Sequence, residues 1–81
     1  MTDNWNGLGK HFATALASRI VADNACVIEG DESELQEAWG MISQWRMSEE
    51  CKERNVDRAY VRQLNDAEWA IKTRIENLKV N

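Results

Sequence analysis

The sequence predicts an all-α fold: one small domain over residues 1–81 with three helices, of which the C-terminal one is long and dimerises. Three observations carry this expectation. Proline, the strongest helix breaker, is absent. The last glycine is Gly40, so nothing from Met41 to Asn81 forbids helix. Apolar residues recur three and four positions apart, the signature of a helix with one buried face.

The first helix is expected over about 5–21. Trp5, Leu8, Phe12, Leu16 and Ile20 form its apolar stripe, and Ala13 and Ala17 leave room for a neighbouring backbone. Asp3 or Asn4 caps its start, while Gly7 and Gly9 weaken the first turn. Residues 22–30 read as a connection, with turn chemistry at Asp23-Asn24, a stop at Gly30 and a short apolar plug, Cys26-Val27-Ile28.

The second helix is expected over about 31–53. Asp31 as N-cap with Glu34 three residues later forms a capping box, and acids in the first turn suit the positive end of the helix dipole. Leu35, Trp39, Ile42 and Trp45 or Arg46 give its core stripe. Gly40 inside it costs about 1 kcal/mol relative to alanine unless a neighbour needs the space.

The third helix is expected over about 56–79, after a break around 53–57. Val61, Leu64, Ile71, Ile75 and Leu78 occupy the a and d positions of a heptad frame. Asn65 with Glu68 forms a competing capping box, and the continuous seam is preferred to the break it would mark.

Length bounds the energetics. Surface scaling gives roughly 5,000 Å² folded against roughly 13,500 Å² unfolded, so only about 63 % is buried. Cores of this size recruit disulfides, metals or a second subunit. Two cysteines, Cys26 and Cys51, are too few for a stapled mini-protein, and His11 is the sole histidine, so zinc-like spacing is missing. Oligomerisation is the remaining support, and the heptad seam predicts a homodimer.

Net charge is −4, which disfavours direct binding to nucleic acid or anionic membrane. The charge is segregated: Asp23, Glu29, Asp31, Glu32, Glu34, Glu37, Glu49, Glu50 and Glu53 face only Arg46 and Lys52 within residues 23–53. No leader-like segment opens the sequence and no apolar run reaches 18 residues, so the expected location is the cytoplasm.

Chemistry-bearing constellations are weak. Gly7-Leu8-Gly9 lacks the strand and the third glycine of a dinucleotide loop. The carboxylates lack histidine partners, His11 has no assignable nucleophile, and no cofactor or metal is implied. Catalytic residues are therefore not expected. Arg54, Arg58 and Arg62 form a ladder that repels itself unless acids such as Glu50 compensate it; binding phosphate is its functional alternative. Four tryptophans exceed what so small a core hides, and tryptophan marks binding hot spots.

These observations point to a protein-binding regulator or inhibitor that occupies a partner's surface, in the manner of many small proteins of mobile elements or phages. The expected partner face comprises Glu34, Glu37, Trp45, Glu49, Glu50, Glu53 and Trp69, and suits a basic or nucleic-acid-binding protein. The alternative is an acidic nucleic-acid mimic, which offers carboxylates in place of phosphates. An enzyme is the least supported class.

Overall fold

The computed structural model describes residues 2–80, with side chains over 12–79. It is all-α. The helix α1 spans Thr2–Ala22, α2 spans Glu32–Glu50 and α3 spans Arg58–Val80, with a 3-10 helix at Asn24–Glu29 between the first two. No strand occurs among the described residues.

Each boundary has a local cause. Asp23 caps the 3-10 helix by accepting from the Ala25 N–H at 3.1 Å. At the start of α2 the expected capping box is complete: Asp31 Oδ1 accepts from the Glu34 N–H and Glu34 Oε1 from the Asp31 N–H, both at 2.8 Å. Asp57 accepts from the Tyr60 N–H at 3.0 Å and starts α3. The helix then runs unbroken through Asn65, because Glu68 is engaged by Arg46 instead of reaching back to close a second box. The α2–α3 loop turns at Asn55, whose φ of 59° lies in the left-handed region that asparagine tolerates better than most residues.

The middle helix organises the domain, packing against α1 on one side and α3 on the other. Ala13, Leu16, Ala17 and Ile20 meet Leu35, Ala38 and Ile42 of α2 and Leu64, Ala67, Ile71 and Ile75 of α3 in the buried core. Cys26 and Val27 of the apolar plug pack against this core, while Ile28 is exposed. Gln63 Nε2 donates to the Val21 carbonyl at 2.8 Å, satisfying an acceptor that the end of α1 leaves open. Gly30 is needed for contact, since a Cβ there would lie 2.5 Å from Leu16 Cδ2, whereas Gly40 faces open space.

Two assignments of side chains to the core are corrected. Phe12 is 46 % exposed and Trp39 is 38 % exposed. The centres of their stripes belong to alanines: Ala13 and Ala17 on α1 and Ala38 on α2 are fully buried and bring the helix axes together. Trp5, Leu8 and His11 lie outside the described side chains.

The residues of the expected dimer seam are placed as follows. Leu64, Ile71 and Ile75 are buried within the single chain, and Leu78 is half-buried against the same cluster. Val61 is half-buried at the edge of a groove described below. The heptad spacing thus marks the face α3 turns toward α1 and α2 of its own chain.

The molecule is thin, 41 × 34 × 17 Å. A helix with its side chains is about 10–12 Å across. Outward faces of α2 and α3 consequently have no further layer to cover them.

A candidate docking cleft between α2 and α3

Most of the acidic block is consumed internally. Glu49 is 7 % exposed despite its charge. Its Oε2 accepts from the Asp57 N–H at 2.9 Å and its Oε1 pairs with Lys52 at 2.8 Å, which ties the interhelical loop to the end of α2. The Asp57 N–H first, and Lys52 second, hold its carboxyl below the usual glutamate range against the opposing effect of burial. Glu50 pairs with Arg46 Nη1 at 2.6 Å, and Glu29 with Arg19 Nη1 at 2.6 Å. Glu29 also accepts from the Cys26 thiol, and this hydrogen bond is the main reason that thiol titrates above its ordinary value. Asp23, Asp31 and Glu34 serve as caps, and Glu32 lies 3.9 Å from Lys79.

Two acids of the block, Glu37 and Glu53, have no hydrogen bond or ion pair among the described residues. The expected partner-facing set therefore divides. Glu34 and Glu49 are structural, Glu50 belongs to the Arg46 pair, and Glu37 and Glu53 are exposed at separate places on the chain. Trp45 is half-buried and lines a groove with Ser18, Val21 and Tyr60 between α1 and α3. Trp69 is 67 % exposed, the most open of the tryptophans whose side chains are described.

The side chains that remain unspent converge elsewhere. Arg58, Arg62, Asn65, Trp69 and Lys72 recur at spacings of four, three, four and three along α3, so they share one face about 95 to 175° from the core stripe. Toward the start of α3, Arg58, Val61, Arg62 and Asn65 join Val56 and Glu50 around a groove of about 430 Å³. One to two turns further, Asn65, Glu68, Trp69 and Lys72 join Trp39 of α2 around a shallower groove of about 230 Å³. Asn65 lines both, so the two grooves adjoin at that residue along the α2–α3 pair, and together they are called the cleft.

The arginine ladder is shorter than its spacing suggested. Arg54 sits in the loop, off the helix, and only Arg58 and Arg62 share a face. The expected compensation by Glu50 does not occur, because Arg46 holds that acid. Neither Arg58 nor Arg62 has an ion pair among the described residues. At the other end, the Lys72 ammonium lies 5.3 Å from the Trp69 ring centroid, within cation–π range.

Beneath the cleft, Arg46 Nε donates to Glu68 Oε1 at 2.7 Å and joins α2 to α3. Glu68, then Glu50, favour its cationic form and raise its already high pKa. No group of three or more histidine, cysteine or acidic side chains suited to a metal occurs among the described residues. No helix is long and apolar enough to cross a membrane among the described residues.

Sequence reading missed Trp39 as a surface residue. The signal was present in Leu35, Ala38, Ile42, Trp45 and Glu49, whose mean direction points about 70 to 80° away from Trp39 around the helix. Weighing Ala38 by size alone hid it. In comparisons with known protein families, curated proteins and solved structures, nothing matches this chain.

Proposed function

We propose that this chain is a protein-binding module, a small regulator or inhibitor that works by occupying a partner's surface, and that it docks through the α2–α3 cleft. The observation that carries the reading is the pair Trp39 and Trp69, two exposed indoles on neighbouring helices lining one groove beside unpaired arginines. Tryptophan and arginine dominate interface hot spots because each buries a large area and also offers directed polar contacts. Exposing two indoles costs solvation free energy that only a partner recovers.

The acidic-mimic reading has less to stand on. A phosphate mimic needs free carboxylates in a row, and seven of the nine acids of residues 23–53 are engaged within the chain. The binding face moves accordingly from the acidic side of α2 to the cleft.

The test is quantitative capture from the native host's lysate with three baits compared side by side. Wild type and Glu37→Lys should retain the same partner, and Trp39→Ser with Trp69→Ser should lose it while keeping its helicity. Loss with Glu37→Lys and retention with the double tryptophan variant would return the site to the acidic face.

A further inference from the structure

Taking the α2–α3 cleft as the docking face, we infer that its occupant is an amphipathic helical segment of a partner protein. That segment carries two carboxylates one turn apart and a large apolar side chain two turns beyond them. The inference rests on the docking reading above and adds the chemistry of the partner.

The carboxylates follow from Arg58 and Arg62. They stand four residues apart, about 6 Å along the helix axis, with no internal ion pair. Like charges at that spacing repel, and a guanidinium is matched best by a carboxylate or phosphate oxygen pair. A helix laid alongside α3 presents acids at positions i and i+4 with the same repeat.

The apolar anchor follows from the other end. Trp69 lies seven residues beyond Arg62, about 10.5 Å, and Trp39 faces it from α2. Val56 and Val61 line the arginine end, and the neutral Asn65 lies between the two ends. From Arg58 to Lys72 the cleft runs about 21 Å, the length of four helical turns. A groove between two antiparallel helices is the ordinary seat of a third helix.

Nucleic acid fits this surface less well. A phosphate backbone carries charge along its whole length, whereas the cations here gather at one end and Lys72 is already stacked on Trp69. A second copy of the chain fits poorly too, because its helical acids are mostly occupied.

The test is selection of displayed helical peptides, long enough to span the cleft, against the folded protein. Enriched peptides should carry acids at i and i+4, with a large apolar residue seven positions from the nearer acid. Arg58→Glu with Arg62→Glu should weaken a selected peptide by about ten-fold or more, and replacing that peptide's acids by lysine should restore part of the loss.

Peptides without acid enrichment, or undiminished by the arginine reversal, overturn the inference. If such peptides are still lost with Trp39→Ser and Trp69→Ser, the docking reading survives alone. Peptides indifferent to both pairs, or no enrichment at all, overturn both. Oligothymidine that binds more tightly than any selected peptide, in an Arg58- and Arg62-dependent way, assigns the cleft to nucleic acid and overturns the inference as well.

Discussion

Arg46 of α2 and Glu68 of α3 are joined by a 2.7 Å hydrogen-bonded ion pair, and the same guanidinium holds Glu50 at 2.6 Å. One cation thus occupies both acids that border the cleft, which leaves Arg58 and Arg62 uncompensated a turn or two away. Electrostatic character at the surface is set here by a pair that faces partly inward.

The pair is also an interhelical brace. Glu68 has only 15 % of its side chain exposed, so removing its partner strands a largely desolvated carboxylate. Arg46→Met should lower the melting temperature, and Glu68→Gln in that background should recover part of the loss. A double-mutant cycle should return a coupling of about 1 kcal/mol, the upper range for pairs that water still reaches. Strict additivity would show that the brace contributes nothing.

The two glycines that flank or interrupt α2 should respond oppositely to alanine. Gly40 has open space around its Cβ position, so Gly40→Ala should stabilise by about 1 kcal/mol through helix propensity alone. Gly30→Ala places a Cβ 2.5 Å from Leu16 Cδ2 in the buried core and should destabilise. Thermal melts of the two variants decide this, and a stabilising Gly30→Ala would show that Leu16 can yield.

Helix positions were legible because their causes are local. The Asp31–Glu34 box and the Asp57 cap that starts α3 depend on residues close in sequence. What the heptad frame of Val61, Leu64, Ile71, Ile75 and Leu78 could not state is which helix it meets, since an apolar stripe packs equally on its own chain or on a copy. The acidic block misled for a related reason. Formal charge counts Glu49 and Glu37 alike, yet the first is bound to the Asp57 N–H and Lys52 and the second is free. Trp39 and Trp69 stand thirty residues apart in sequence, and only the antiparallel packing of α2 on α3 brings them to one groove.

Glu49 makes stability depend on acid pH. Its folded pKa lies below the ordinary glutamate value, so it stabilises the fold above about pH 4.3 and this contribution is lost as pH falls through the lower folded value. Glu49→Gln keeps an oxygen for the Asp57 N–H but cannot titrate. Melting temperature against pH should therefore show a flatter acid limb for the variant than for wild type. Parallel limbs would mean that other carboxylates carry the acid sensitivity.

The central claim is that a partner meets the α2–α3 cleft, and a photo-crosslinking side chain at single positions tests it most directly. Placed at residue 69 it sits in the cleft. Placed at residue 37 it projects about 160° around α2 from Trp39, on the remaining free acidic face. Irradiation in the host should give a discrete protein adduct from position 69 and none from position 37. An adduct from position 37 with none from position 69 would contradict the account.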